Sequence, residues 1–546
     1  MIDKLLQVRS VREDNFFSPS IDDLPRSSSM FNGKVATAST LIKEAVSKGK
    51  PIGVIGDYDV DGVMSTAMMV RMMRDVAKGL GQAPPIIKPF IPSRHREGYG
   101  LNSKTVSSYI EMWGDIKPEL TIVLDSGTSS KQQITDLRGW GANQILVIDH
   151  HLPNVGSFSD NTDLLMNWRI DGESDMCAAG EVFHVARCLF GDASEETLKY
   201  MSYAAIATVA DMVSVIGTNR IVVRIGLNSL WRCGSVGLLA VGGRRMSKGD
   251  VFQSAVSFEI APRINSVGRM EDAKQVLDMM LNDDYRAVSA SAKRMEELNS
   301  QRRATQKLME KDVLRRVAAS SFKDGLLMYD SSWHPGICGI ASSNVVEVTG
   351  LPCILLGDHD GQAKGSGRSP PGVNVKAIMD SISEMFEKYG GHERACGAVV
   401  KRDHLDIAPF VFNEACNKYY AKHGRPSNQL LFDADLSWNE TSVTSAKALL
   451  ETFYPYDEIT NPEPIFRIPS AKVEEVSIKE PEDKAWRLTI LKCSLDGRTI
   501  PITFKSYRDD LGNDWLSKTV NVYFSFPQSV DERELESCHL VDVEIA

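Results

Sequence analysis

A chain of 546 residues is too long for one hydrophobic core and is expected to divide into several domains. No apolar run approaches the ~20 residues that span a bilayer, and "MIDKLLQVRSVREDNFF" has no apolar signal-peptide core, so membrane insertion is set aside and a cytoplasmic location expected. The net charge of −10 speaks against nucleic-acid binding through bulk charge but leaves room for a local basic channel, and nine cysteines without a CxxC pair speak against a cysteine zinc site.

From about 50 to 215, short apolar runs alternate with helical patterns, which predicts a parallel, doubly wound α/β sheet. "PIGVIGDYD", "LTIVLDSG" and "QILVIDHH" each read as a buried strand ending in an acid, with the apolar helix "VMSTAMMVRMMRDVAKGL" after the first. From about 220 to 320 the pattern is helical, and residues 284–319, free of Gly and Pro, predict one long charged connector helix. A second α/β unit follows, with glycines clustered where strands meet helices. From about 465 to the end, apolar and polar residues alternate in short runs, predicting a small β-barrel.

The chemistry gathers at four places. "GDYDVDG" supplies Asp57, Asp59 and Asp61, "VLDSG" supplies Asp125, "DHH" supplies Asp149, His150 and His151, and "AIATVADMVSV" supplies Asp211. Alternate residues leaving a strand project the same way, so Asp59 and Asp61 are expected to reach one site. Any single Asp here is equally readable as a helix cap or turn residue. Carboxylates gathered at one sheet edge repel unless a cation neutralises them, and mixed Asp and His ligands suit Mn²⁺ first, with Mg²⁺ or Zn²⁺ less distinctive. Two such ions would make a hydrolytic site for a phosphoryl group.

These motifs resemble the DHH phosphoesterase superfamily, and within it the branch of single-strand-specific exonucleases. The resemblance also rests on "FIPSRHREGYGL", "IAPRINSVGRM", "WHPGICGIA", "GSGRS", "GGHERACG" and "NPEP", in that order. It implies an N-terminal segment 1–45, a DHH domain 46–225, a helical connector 226–325, a DHH-associated substrate-binding domain 326–425, and a linker with an oligonucleotide-binding (OB)-like barrel at 426–546. It implies Asp59 and Asp125 on one ion, and Asp61, Asp125, His150 and Asp211 on the other, with Asp57 supporting the first. His151 would meet the scissile phosphate or leaving oxygen, and Asp149 would orient His150. Three places depart from the family pattern: Ile55 stands where a metal-binding His is common, Asn344 where an Arg is, and "YDEIT" where the lead into "NPEP" is Gly-rich.

For substrate, the resemblance implies Arg368 with Gly390, Gly391 and His392, read as a flexible glycine loop beside a guanidinium that grips phosphate. Arg263, Asn265 and Arg269 either brace the lobes or touch the strand, and His334 begins a Gly-rich turn facing a terminal phosphate. In the barrel, Trp486, Arg487, Lys492, Phe504, Lys505 and Tyr507 are available for bases and phosphates. The implied activity is 5′→3′ hydrolysis of single-stranded DNA to 5′-mononucleotides in repair or recombination, by a monomer working beside a single-strand-binding protein or helicase. The competing readings are a smaller-substrate phosphodiesterase, acting on short oligonucleotides or cyclic dinucleotides, and a non-catalytic scaffold.

Overall fold

The computed structural model describes residues 1–9, 16–154, 156–233, 235–246, 252–426, 431–457, 460–479, 488–506, 511, 513–528 and 535–546. The chain forms two compact units, one of residues 1–268, 272–293 and 431–546, the other of 269–271 and 294–430. Among the described residues no helix is long and apolar enough to cross a membrane.

In the first unit, five strands form a sheet: β1 (Ile52–Ile55), β2 (Ile87–Phe90), β3 (Leu120–Leu124), β4 (Gln144–Ile148) and β5 (Leu164–Met166). All pairings are parallel, in the order β2-β1-β3-β4-β5. β1 and β3 are buried throughout, as expected of a sheet covered on both faces. The chain order reverses at β1, so β1 and β3 diverge at a topological switch point. Open α/β sheets bind ligands there, outside the carboxyl ends of the strands. Helix α1 (Val60–Gly79) follows β1 and buries Met64, Met68, Met69, Met72 and Met73. Two further helices, α2 (Ala178–Phe190) and α3 (Glu195–Ala210), pack against it.

The barrel closes in the same unit. Strand Phe466–Lys479 pairs with Thr519–Ser525, then Ser537–Ile545, Thr503–Ser506 and Leu488–Leu495, and the last returns to Phe466–Lys479. Closure removes the sheet edges, in the manner of an OB-like barrel. Phe504 lies in its core rather than on a binding face, Lys492 is ion-paired to Glu475 at 2.7 Å, and Trp486, Arg487 and Tyr507 fall outside the described residues.

Leu5 and Phe16 pack into the barrel core, and Arg220 ties the first unit together. Only 2% exposed, its guanidinium donates to the carbonyls of Phe16 (2.8 Å), Thr452 (3.0 Å), Phe453 (3.1 Å) and Pro455 (3.3 Å). Removing a buried donor strands its acceptors, so Arg220→Ala is expected to destabilise by about 3–5 kcal/mol. Urea unfolding followed by circular dichroism checks this; a loss below about 0.5 kcal/mol, the range of ordinary surface substitutions, contradicts it.

The connector is one helix, α4 (Tyr285–Ala319), 35 residues long. Its charges are not all solvated: Asn299 and Arg302 are buried, and Arg302 donates to Asn299 and Gln306 at 2.6 Å. Gln306 and Asn344 then both donate to Glu310 at 2.7 Å. Asn344 thus serves the packing of α4.

The second unit has a mixed sheet, β6-β7-β8-β10-β9 in order, from β6 (Leu326–Tyr329), β7 (Cys353–His359), β8 (Gln362–Arg368), β9 (Phe386–Gly391) and β10 (Ala395–Val400). Helix α5 (Pro335–Thr349) packs on β7 and β8. "GSGRS" and "GG" are therefore not a flexible loop. Gly365, Gly367, Gly390 and Gly391 are strand residues, and close packing explains the first two. A β-carbon on Gly365 would lie 1.9 Å from the Leu355 carbonyl oxygen, and one on Gly367 would meet Ile354 at 2.6 Å.

Candidate metal centre

Every acid predicted for the metal site lies near the carboxyl ends of β1, β3 and β4 or at the end of α3. The Asp59 and Asp61 expectation needs correction. The strand ends at Ile55 and a helix begins at Val60, so the two-residue alternation does not carry through. Asp59 caps α1, accepting from Gly62 N at 3.1 Å, while Asp61 turns inward in the first helical turn. The two acids join different groups. Asp57, Asp59 and Asp125 form one set, and Asp61, His150 and Asp211 another. Asp125, His150 and His151 form a third that links them, the donor atoms of each set lying within 4.8 Å of one another. Gly62 permits this, since a β-carbon there would lie 2.5 Å from Asp57 N.

Local structure fixes each donor. Asp61 receives two amides from the first turn of α2, Ala178 N and Ala179 N, both at 2.7 Å. Asp125 sits in the left-handed region at φ 57°, and its amide donates to the Ile148 carbonyl at 3.0 Å. His150 Nε2 lies 3.2 Å from Asp125, 3.6 Å from Asp211 and 3.8 Å from Asp61. A non-glycine residue in that backbone region is uncommon and concentrates at functional sites.

Asp149 does not orient His150. Its carboxylate accepts from Thr128 N at 2.8 Å and lies 2.7 Å from Nδ1 of His151. The reason is the turn after β4, which folds the His151 amide back toward Asp149 at 3.2 Å. The other ring nitrogen of His151 meets the Tyr99 hydroxyl at 2.6 Å. Tyr99 was not singled out from the sequence, although its motif "REGYGL" was; no spacing signals a contact across 52 residues.

The electrostatics are those of a site built for cations. Burial, then the Asp59 carboxylate, pushes Asp57 up to about 8. Burial and the neighbouring acids also raise Asp61, Asp125 and Asp211. Against burial, the His151 and Thr128 hydrogen bonds hold Asp149 well below the usual carboxylate range. His151 is held up at about 9 by Asp149 although burial opposes it, whereas burial lowers His150. Both oxygens of Asp57 and Oδ1 of Asp125 are buried without a hydrogen-bond partner of good geometry. Buried carboxylates left so uncompensated fit a divalent cation, and an oxygen-and-imidazole donor set without thiolate suits Mn²⁺ or Mg²⁺. Ile55 lies in the core, and Asp57 stands in one donor group with Asp59 and Asp125.

The raised carboxylates and His151 act in the same direction. Each binds more protons folded than unfolded, so the metal-free fold loses stability as pH rises from 6 toward about 8. A cation replaces those protons, so the gain in Tm on adding Mn²⁺ is expected to be larger at pH 8 than at pH 6. A larger gain at pH 6 contradicts this account.

The residues expected to meet substrate fall in two places. In the first unit, Gly268 packs against the Tyr58 carbonyl beside the acids, and half-buried Asn265 precedes it by one turn. Arg263 braces the fold, donating to the Val241 carbonyl at 3.1 Å. In the second unit, Arg269, His334 and Arg368 gather at the N-terminal end of α5. His334 is no free turn residue: it caps the helix, its Nδ1 accepting from Gly336 N at 3.1 Å. Arg269 donates to the Gly336 carbonyl at 3.1 Å, and the Arg368 guanidinium lies 3.4 Å from where a β-carbon on Gly339 would stand. Gly391 pairs with Cys396, next to the Ala395–Arg368 pair, and His392 N donates to Ala395 O at 2.9 Å. A helix N-terminus flanked by arginines is suited to phosphate.

Residues 51–210 match the model of the DHH family, N-terminal domain, and residues 316–418 match the DHHA1 domain. The chain thus carries a DHH domain and a DHHA1 domain. Over most of its length it is similar to RecJ. It is 29% identical over 455 residues to the single-stranded-DNA-specific exonuclease RecJ of Thermus thermophilus, covering 83% of this chain and 64% of that one. It is 27% identical over 450 residues to that of Bacillus subtilis, covering 80% and 54%. The chain thus spans less than two thirds of the length of these relatives. The crystal structure of Thermus thermophilus RecJ in complex with Mn²⁺ superposes with a TM-score of 0.79 at 24% identity, covering 100% of this chain and 75% of that one.

Proposed function

We propose that this chain is a metal-dependent exonuclease that degrades single-stranded DNA from the 5′ end and releases 5′-mononucleotides. The observation that carries the reading is the pair of donor groups, Asp57/Asp59/Asp125 and Asp61/His150/Asp211, linked through Asp125 and His150. The relatives, which bear the name of single-stranded-DNA-specific exonuclease, and the OB-like barrel support the choice of substrate.

Divalent ions held by these groups would supply Lewis-acid stabilisation of the phosphoryl oxygens and acidify water. The remaining chemistry belongs to the side chains. Asp61 is aimed by the first turn of α2, and Asp125 by its left-handed backbone. His151, held up by Asp149 at Nδ1 and hydrogen-bonded to the Tyr99 hydroxyl at Nε2, would give a proton to the leaving oxygen as Tyr99 yields that nitrogen. Arg368 and the N-terminal end of α5 would take the terminal phosphate.

The test compares a long single strand, a blunt duplex and di- to pentanucleotides with Mn²⁺ or with chelator. Metal-dependent loss of the single strand alone is expected. Cleavage confined to the short oligonucleotides would favour the smaller-substrate reading, and no cleavage of any would favour the scaffold.

A further inference from the structure

The segment "NWR" at 167–169 plays no part in the mechanism above, yet it is locked beneath the two histidines. Asn167, fully buried, donates through Nδ2 to the His151 carbonyl and to Thr128 Oγ1, both at 2.9 Å, and accepts from Arg169 N at 3.0 Å. The buried Glu181 carboxylate accepts from Trp168 N at 3.0 Å. Arg169 itself is exposed, but it is not free to wander. Its Nε donates to the His150 carbonyl at 2.9 Å, and its guanidinium lies over the Trp168 ring at 4.1 Å.

That arrangement leaves the end-on face of the guanidinium, Nη1 and Nη2, without a protein acceptor among the described residues. The nearby acid Asp171 is engaged elsewhere, with Lys34 at 2.5 Å. An arginine of fixed orientation, stacked on an indole and lacking an acid, stands beside a group of five aspartates whose field repels a polyanion. The end-on fork matches two phosphate oxygens, and the side-chain entropy of holding it has already been lost to the stack and the Nε hydrogen bond.

We propose that Arg169 is a phosphate-binding residue, which grips one backbone phosphate of the strand next to the phosphodiester being cleaved. The proposal rests on the exonuclease reading and adds a contact to it. It assigns a sequence-independent role, because a phosphate carries no base information.

The test places single neutral methylphosphonate linkages at successive positions near the 5′ end of a single strand, leaving the cleaved linkage intact. kcat/KM is measured with Mn²⁺ for the intact wild-type chain, Arg169→Ala and Arg169→Lys. In the wild type, one linkage is expected to be sensitive, its neutralisation costing about tenfold. Arg169→Ala should lose about the same factor on the natural strand and become indifferent to that linkage alone. Arg169→Lys, a point charge without the fork, should recover part of the loss. The Mn²⁺-induced gain in Tm should be unchanged in both variants. If neutralisation costs wild type and Arg169→Ala equally at every linkage, or if the Mn²⁺ gain is lost, Arg169 merely braces His150 and the proposal is overturned. If the wild type cleaves no single strand, the exonuclease reading itself fails, and this contact falls with it.

Discussion

Asp125→Asn is expected to lower the rate of single-strand cleavage by at least about 10³-fold while leaving the protein folded. Asp125 is the acid common to two of the donor groups, so its loss disturbs both. Asparagine is the informative replacement because it tolerates the left-handed backbone at φ 57°, where alanine would add strain of its own. It also removes a buried charge that burial and the neighbouring aspartates already disfavour. The metal-free variant should therefore unfold at the same temperature as the wild type or higher, while the Mn²⁺-induced rise in Tm shrinks. Lost activity with an undiminished Mn²⁺ response would mean that Asp125 is not a ligand.

Asp149→Asn should cost about 10²–10⁴-fold in kcat, the usual worth of a positioned general acid, with the upper end known for neutralising the acid that orients a catalytic histidine. The amide can still accept from Thr128 N but no longer supplies the charge that holds His151 at about 9. The His151 value should drop toward its ordinary 6.5. A group that must be protonated to act fails as pH rises through its pKa, so the alkaline limb of the rate profile should move to lower pH. An unmoved limb with reduced kcat would assign Asp149 to bracing the loop at Thr128 rather than to tuning His151.

The acids of the candidate metal centre were legible for a physical reason. Parallel strands buried on both faces read as continuous apolar runs, and an acid within two residues of the end of such a run is out of place in an apolar core. Runs ending at Ile55, Leu124 and Ile148 therefore marked the ligand edge of the sheet before any strand order was known. What was not legible depends on backbone turns and distant partners. The tripeptide at 149–151 does not say which histidine its acid holds, because that follows from the turn after β4. Tyr99 and Asn167 reach the histidines from other segments, and neither contact leaves a periodic trace. The glycines near Arg368 looked like a flexible loop because glycine composition is the same in a loop and in a strand packed against backbone. The carbonyl of Leu355, on the neighbouring strand β7, distinguishes the two at Gly365.

The most direct test of the central claim is single-turnover digestion of one long single strand, labelled at the 5′ end in one sample and at the 3′ end in another, with Mn²⁺. The account predicts that the 5′ label appears first as a mononucleotide while the 3′ label stays on a shortening strand. Release of the 3′ label first, or a strand left intact by protein that has bound Mn²⁺, would contradict it.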